Sequence, residues 1–454
     1  MTTHHSPPPD ELSDFAELMR HEEEVLDPAT FVDPAVRHRR RRRGVIITAI
    51  ILVVLLGVPS AYIGWALTAP VSDPELSAQT PPPVPLQSAA VLRLPAEGSA
   101  AISVSGADEY LGPGASGIWQ TSGTNDPQPI ASITKLVTAL VILNAKPLAG
   151  PGDPGPTITF DKSDHDLYDE YYVMGATIAA MPTGSTMSLH DALATMLIPS
   201  ASNYADAVST WAFGSQGAFL RATRDWLAAN GLSGTTIVEP TGISPRNTST
   251  PSDLIALGKI AAAHPVIAPI LAKPTLGLPG LGVMHNTNSL LGRDGVTGLK
   301  TGNLGAGTYN LLYSATLDVG AAQPLSVVGV RLGGGSRDSV DADVLATLDS
   351  IRYGFHEVEL VRAGVEVGTF TTAWGETAQV VVSKTASVFT WSDTAITSTL
   401  SMTPAASYED GEIVGSITWT AGPHTATVPL EIEGEIDPPT EWWRLTHPAE
   451  LWAP

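Results

Sequence analysis

A run of 24 residues without a charged side chain, Gly44 to Leu67, restricts the possible folds of this chain most strongly. Six arginines directly precede it, out of 24 lysines and arginines in 454 residues. As an α-helix this run is about 36 Å long, which is enough to cross the hydrocarbon core of a bilayer. Tyr62 and Trp65 lie near its far end, where interfacial aromatic residues are common. The sequence therefore predicts one transmembrane helix over residues 44–68.

The charge distribution around this span also predicts its orientation. Arginines before the span and none directly after it place the N-terminus in the cytoplasm and the larger C-terminal part outside. A cleaved signal peptide is the alternative, but its apolar region is usually about 7–15 residues long and follows a short charged region. Here 43 residues precede the span. We therefore expect an uncleaved, single-pass membrane anchor.

Composition divides the chain into further segments. Residues 1–43 are predicted to be a disordered cytoplasmic tail, because they are rich in acids and prolines before the arginines and lack sustained periodicity. Residues 69–88 are expected to form a Pro-rich linker. Residues 89–355 mix helix and strand patterns, whereas the short Val- and Thr-rich runs over 356–436 are typical of a small all-β domain. A C-terminal tail follows at 437–454.

Periodicity and capping signals locate the elements of the mixed region. Ser188 with Asp191, and Thr250 before Pro251, mark two helix starts. Residues 164–166 are interpreted as a solvated loop. Helices are predicted over 132–145, 189–198, 203–212, 216–230, 251–263 and 338–353. The strand-like segments are AAVLRL, SAAISVSG, GVTGL, GTYNLLYSATL and PLSVVGVRL.

Charge and composition exclude several classes of function. A formal net charge of −22 argues against nucleic acid as a partner, since phosphate binding needs a basic surface. The chain has no cysteine, which excludes disulfides, thiolate metal sites and a cysteine nucleophile. The 11 histidines show no metal-ligand spacing, so His190 and His285 are interpreted as structural. We expect no metal and no cofactor.

The segment Ser132-Ile133-Thr134-Lys135 pairs a serine with a lysine three residues later. On a helix these two positions share a face, so the lysine can reach the serine hydroxyl. A neutral lysine can accept the serine proton, and burial or a nearby cation lowers its pKa toward that role. Taken alone the pattern is weak, because one Ser-x-x-Lys is expected by chance in roughly half of chains of this size.

Two further polar segments follow in order. Ser200 opens the loop after a predicted helix, where a serine can relay a proton; an N-cap for the next helix is the alternative. Lys300-Thr301-Gly302 follows a strand-like segment. The lysine adds positive potential for a carboxylate and the threonine hydroxyl can hydrogen-bond it. The glycine lets a substrate backbone approach closely.

The order of the three motifs resembles the active-site set of penicillin-recognising serine enzymes. Over about residues 90–355 the chain more specifically resembles the D-alanyl-D-alanine carboxypeptidase family, the low-molecular-mass penicillin-binding proteins. The resemblance implies an α+β catalytic domain, with a five-stranded antiparallel sheet flanked by helices and a helical subdomain that carries the middle motif. The segments that carry the resemblance are PIASITKLVTAL, LATMLIPSASNYADAV, EPTGISPRNTSTPSDL and HNTNSLLGRDGVTGLKTG.

The same resemblance implies a role for each motif residue. Ser132 is expected to be the acylated nucleophile and Lys135 its general base. Ser200 would pass the proton on, supported electrostatically by Lys300. The backbone N–H groups of Ser132 and Asn303 would form the oxyanion hole.

The remaining motif residues are implied to bind substrate. Thr301, followed by Gly302, would bind the terminal carboxylate of D-Ala-D-Ala, and Asn286 and Asn288 are interpreted as structural. The expected function is a serine-type D-Ala-D-Ala carboxypeptidase in a bacterial cytoplasmic membrane, acting on peptidoglycan stem peptides. β-Lactam antibiotics are the expected covalent inhibitors.

One position departs from the family pattern. The middle motif usually has Asn as its third residue, where this chain has Ser202, with Asn203 next. Either Asn203 substitutes after a one-residue shift, or Ser202 makes a weaker hydrogen bond. Loss of an amide donor would cost on the order of 10²-fold in turnover. We favour Ser202, because the flanking residues then align without a gap.

Two other functions fit the sequence less well. A class A β-lactamase uses a loop glutamate for deacylation, with an Asn a few residues on. Glu239 is the only Glu between Ser200 and Lys300, and no Asn lies within the seven residues after it. A catalytically silent or weak penicillin-binding envelope protein is the other alternative, and the departure at Ser202 is its main support.

Overall fold

The computed structural model describes residues 34–77 and 81–452, so the tail predicted over residues 1–33 lies outside the described residues. The chain divides into two compact units, each assembled from separate segments. The described residues within Met1–Ser77, Thr369–Ala378 and Gly434–Pro454 form the first unit, and those within Ala78–Gly368 and Gln379–Glu433 form the second.

The first unit contains the helix Pro34–Thr68, which is long and apolar enough to cross a membrane. This helix begins before the predicted span, because the arginine-rich segment is helical as well. Arginine has a high helix propensity, and the helical backbone runs on into the apolar segment. The expectation of disorder is therefore wrong for residues 34–43. Within the predicted linker, the strand Glu75–Ser77 pairs with Thr369–Thr371.

The C-terminal end of this long helix is covered by the end of the chain. The predicted tail contains the helix Glu441–Thr446 and the 3₁₀ turn Glu450–Trp452. The Tyr62 hydroxyl donates to the Leu445 carbonyl at 2.8 Å, and the Arg444 guanidinium donates to the Ala69 carbonyl at 2.7 Å. A cation at the C-terminal end of a helix bonds free carbonyl groups and interacts favourably with the negative end of the helix dipole.

A five-stranded antiparallel sheet lies at the centre of the second unit, as the family resemblance predicted. Side chains alternate between its faces, so Leu312 and Val328 enter one hydrophobic core while Leu311 and Val327 enter the other. In spatial order the strands are Val296–Gly302, Tyr309–Leu317, Leu325–Gly334, Ser99–Ser105 and Gln120–Ser122.

One predicted strand is wrong. Among the described residues the segment AAVLRL has no partner strand, because backbone groups at its end bond to side chains of a helix instead. The Arg93 N–H donates to the Ser350 hydroxyl at 3.0 Å, and the Thr347 hydroxyl donates to the Arg93 carbonyl at 2.6 Å.

Helices cover both faces of the sheet. The helices predicted from periodicity all form, with ends within two residues of those expected, and Ser188 and Thr250 cap two of them. On one side lie Thr134–Ala145, Leu189–Leu197, Ser202–Phe213, Gln216–Ala229, Pro251–Ala263 and Ile267–Leu271, and Arg337–Gly354 packs on the other. The short helix Asp108–Leu111 follows the strand Ser99–Ser105.

A further helix, Lys162–Val173, replaces the solvated loop expected at residues 164–166. Asp161 caps its N-terminus in a capping box with Asp164. Tyr171 is the only residue of this helix that is buried. The helix therefore has little hydrophobic periodicity from which it could be predicted.

The expected small all-β region follows the last long helix. Phe355–Val361 pairs with Ala386–Trp391, and Ile396–Met402, Ile413–Ala421 and His424–Glu433 pair in sequence order. Residues 379–382 of Thr377–Val382 join the last of these strands. Glu366–Thr371 and Thr377–Val382 each contribute residues to both units. Three two-stranded pairs complete the second unit: Gln128–Pro129 with Thr248–Ser249, Thr157–Thr159 with Thr186–Ser188, and Thr275–Leu278 with Gly282–His285.

Candidate active site

Ser132 and Lys135 lie side by side at the start of a buried helix. Ser132 belongs to the 3₁₀ turn Ala131–Ile133, which leads into Thr134–Ala145. The Lys135 Nζ lies 3.0 Å from the Ser132 Oγ and donates to the Thr241 carbonyl at 2.7 Å. Ala131, directly before the serine, has a φ of 49°, a conformation that non-glycine residues rarely keep outside functional sites.

The surroundings of Lys135 favour its neutral form. The side chain is fully buried, and this burial lowers its pKa from 10.5 to about 7, against the opposing effect of the negative charge on Glu239. Lys300 is buried as well. Its pKa is lowered well below the usual value by burial and by the positive charges of Lys135 and Arg337. A lysine with a pKa near 7 can accept a proton at neutral pH.

A pocket of about 190 Å³ opens beside Ser132 and brings the three sequence motifs together. Lys135 and Lys300 are buried next to it and do not form its surface. The residues that line it are Ser132, Gly175, Ala176, Thr177, Ser200, Ser202, Gly242, Ile243, Thr287, Thr301, Gly302, Asn303, Leu304 and Arg337.

The Lys300-Thr301-Gly302 motif ends the edge strand Val296–Gly302. The Thr301 hydroxyl donates to the Thr287 hydroxyl at 2.7 Å. A side chain at Gly302 would overlap the Ile130 carbonyl, so only glycine lets this strand run beside the turn that holds Ser132. The Asn303 side chain accepts from the Gly305 N–H at 2.7 Å, which orders the loop after the strand.

The middle motif separates the roles of Ser202 and Asn203. Ser200 adopts a φ of 72°, in the left-handed region, and both it and Ser202 line the pocket. The Asn203 amide donates to the Ala179 carbonyl at 2.8 Å and accepts from the Ala179 N–H at 3.1 Å. Both ends of this buried amide are therefore occupied away from the pocket, and Ser202 is the residue that reaches it.

Arg337 and Thr287 are among the pocket residues that were not found from the sequence. Arg337 donates to the Thr287 carbonyl at 2.6 Å and adds a positive charge near Thr301. The scarcity of cations in the chain could have drawn attention to Arg337, which directly precedes a predicted helix. Thr287 lies between Asn286 and Asn288, whose side chains bond backbone groups, consistent with their structural interpretation. Neither His190 nor His285 lines the pocket.

Part of the chain is similar in sequence to known proteins. Residues 116–329 match the model of a family described as D-alanyl-D-alanine carboxypeptidase. A D-alanyl-D-alanine endopeptidase of Escherichia coli is 28% identical over 231 residues, which cover 48% of this chain and 69% of that protein. One from Pseudomonas aeruginosa is 31% identical over 140 residues, covering 31% of this chain and 42% of its own length.

The fold is also found among solved structures. Penicillin binding protein 6B of Escherichia coli superposes with a TM-score of 0.50 and 18% identity, over 79% of this chain and 99% of that chain. Residues 116–329, which contain Ser132, Lys135 and Lys300, thus match the D-alanyl-D-alanine carboxypeptidase family.

Proposed function

We propose that the protein is a D-alanyl-D-alanine carboxypeptidase that removes the terminal D-Ala from peptidoglycan stem peptides through an acyl-enzyme on Ser132. The observation that carries this proposal is the Lys135 amine, which is buried, lies 3.0 Å from the Ser132 hydroxyl and has a pKa lowered to about 7. This pair borders a pocket with hydroxyl and guanidinium groups suited to a carboxylate.

In the proposed acylation step, neutral Lys135 takes the Ser132 proton while Oγ attacks the carbonyl carbon of the penultimate D-Ala. The tetrahedral oxyanion accepts hydrogen bonds from the backbone N–H groups of Ser132 and Asn303. The C–N bond then breaks, Ser200 passes its proton to the departing D-Ala amine, and Lys135 returns the proton it took from Ser132 to Ser200 and becomes neutral again. In the second step water attacks the ester while neutral Lys135 takes its proton. The bond between the acyl carbon and the Ser132 Oγ then breaks, and Lys135 returns this proton to Oγ, which regenerates the enzyme.

The proposed carboxylate subsite lies near the end of the edge strand. On substrate binding, Thr301 would redirect its hydroxyl hydrogen bond from Thr287 to the terminal carboxylate, and Gly302 leaves room for the substrate backbone. Arg337, on the same pocket wall, can pair with a carboxylate through two parallel N–H groups. Buried Lys300 lies behind this subsite, where it contacts the Thr301 carbonyl at 3.3 Å. By the same chemistry, we propose that β-lactam antibiotics acylate Ser132.

Endopeptidase activity is a second candidate, because the curated relatives are named D-alanyl-D-alanine endopeptidases. Both activities break a bond after the penultimate D-Ala, and they differ in the leaving amine. A glutamate-assisted β-lactamase is not supported. The Glu239 carboxylate accepts five hydrogen bonds within its own loop and is absent from the pocket lining.

The full chain, purified in detergent, tests the proposed function on two substrates. A pentapeptide ending in D-Ala-D-Ala should release D-Ala, and a cross-linked stem-peptide dimer measures endopeptidase activity in parallel. We expect release of D-Ala that preincubation with benzylpenicillin abolishes. Cleavage of the dimer alone would show that the protein is an endopeptidase and not a carboxypeptidase. No cleavage of either substrate would favour a silent penicillin-binding protein.

We also propose that the helix Pro34–Thr68 spans a bacterial cytoplasmic membrane, with the catalytic domain extracytoplasmic. The support is the arginine cluster before the apolar segment, which is typical of a cytoplasmic N-terminus. Alkaline phosphatase fused after Pro454 should be active in cells, because this enzyme folds only outside the cytoplasm. If the fusion protein is expressed normally and is membrane-bound but its phosphatase is inactive, the proposed topology is wrong and the catalytic domain lies in the cytoplasm.

A further inference from the structure

Glu239 begins a tight loop beside the Ser132–Lys135 pair. Its carboxylate accepts hydrogen bonds from the Thr241 N–H at 2.7 Å and the Thr241 hydroxyl at 2.6 Å. It also accepts from the Gly242 N–H at 2.7 Å, the Ser244 N–H at 3.2 Å and the Asn247 amide at 2.8 Å. Charge-assisted bonds of this kind are about twice as strong as neutral ones. One side chain therefore determines the shape of the whole loop.

The loop is joined to the helix that carries Lys135. The Thr241 carbonyl accepts from the Lys135 amine at 2.7 Å, and this bond holds the amine near Ser132. One turn further along the helix, the Thr138 hydroxyl donates to the Pro240 carbonyl at 2.7 Å. The carbonyl groups that orient this face of the helix thus belong to the loop that Glu239 folds.

Gly242 joins the same loop to the backbone of the serine. Its φ of 86° lies in the left-handed region. A side chain there would overlap the Ala131 carbonyl and approach the Ser132 nitrogen to 2.9 Å. The Gly242 N–H bond to Glu239 therefore keeps the loop in direct contact with the peptide bond that precedes Ser132.

The charge of Glu239 also acts on Lys135. Burial lowers the pKa of Lys135, and the negative charge of Glu239 raises it. The carboxylate therefore limits how far burial lowers this pKa. Lys300 also interacts with Lys135, since the positive charges of Lys135 and Arg337 both lower the pKa of Lys300. Among these groups Glu239 provides the only negative charge.

We propose that Glu239 is a positioning residue for acyl transfer: its carboxylate folds the loop that holds the Lys135 amine beside Ser132. The proposal rests on the proposed function, in which Lys135 is the general base. Glu239 touches no reacting atom, so it acts through the Thr241 carbonyl and through its charge.

Glu239→Gln tests both effects by the rate of acylation with a fluorescent penicillin, measured from pH 5 to 9 on the full chain in detergent. The plateau rate should fall about 10- to 100-fold, because a loosened loop misplaces the base. The pH below which the rate falls should decrease, because without the negative charge of Glu239 the pKa of Lys135 is lowered further by burial. Glu239→Asp retains the charge, so its acylation rate should fall at the same pH as in the wild type, while its plateau rate is reduced.

Glu412 offers a matched control. It is also a carboxylate that folds a loop, accepting from the Ser407 N–H at 3.1 Å and the Tyr408 N–H at 2.6 Å, but it does not line the pocket. Glu412→Gln should leave the pH profile unchanged even if thermal stability falls. Wild-type profiles in both folded Glu239 variants would overturn the proposal. If Glu239→Gln fails to fold, Glu239→Asp alone tests the proposal, and a wild-type plateau rate of acylation in this variant would overturn it. A wild-type protein that forms no penicillin adduct would instead contradict the proposed function.

Discussion

Ser132→Ala is expected to abolish the covalent adduct with benzylpenicillin and to lower D-Ala release by about 10⁴-fold or more. Among the described residues, the hydroxyl is the only group of the pocket lining that bonds the Lys135 amine, and its loss leaves no nucleophile beside the base. Intact-mass spectrometry of the protein after incubation with the antibiotic measures the adduct. Peptide mapping of the wild-type adduct should locate it on Ser132.

Ser185→Ala is a suitable control for this change. Ser185 carries a hydroxyl that donates to the Pro182 carbonyl at 2.6 Å, outside the pocket lining. This variant should be acylated as fast as the wild type. A full-yield adduct on Ser132→Ala, or a wild-type adduct that maps to Ser200, would contradict the assignment of the nucleophile.

Lys135→Met is expected to reduce the acylation rate by about 10²- to 10⁴-fold, because methionine fills a similar volume without a proton acceptor. In the wild type the rate should rise with pH and level off above about pH 7. Below its pKa the amine is protonated and cannot act as a base, so the rate falls about tenfold for each pH unit. The variant should lose this dependence. Stopped-flow acylation with a chromogenic cephalosporin measures both effects.

Lys259→Met provides the corresponding control. The Lys259 amine also bonds backbone carbonyls, those of Ser116 at 2.6 Å and Gly117 at 3.1 Å, and burial lowers its pKa. It does not line the pocket, so its removal should leave acylation unchanged. A wild-type rate that is flat from pH 5 to 9, or a Lys135→Met rate within threefold of the wild type, would exclude Lys135 as the base.

Much of the fold could be predicted because its signals are local. The long helices were found from apolar residues that recur with the helical repeat, and Ser188 and Thr250 marked starts that the structure has. The predictions failed where the local signal was weak or misleading. The helix Lys162–Val173 buries almost nothing, and the strand-like segment AAVLRL bonds to helix side chains instead of a neighbouring strand.

The membrane-compatible helix and the three-residue spacing of Ser132 and Lys135 could be read from the sequence, since each depends on neighbours along the chain, and the α+β class followed from the family resemblance. The tertiary structure was needed to show that Ser202, and not Asn203, reaches the pocket, because the Asn203 amide bonds to Ala179. It also brought Thr241 to Lys135 across 106 residues of sequence. The lowered pKa of that lysine has the same origin, since burial is a property of the packed environment and not of any motif.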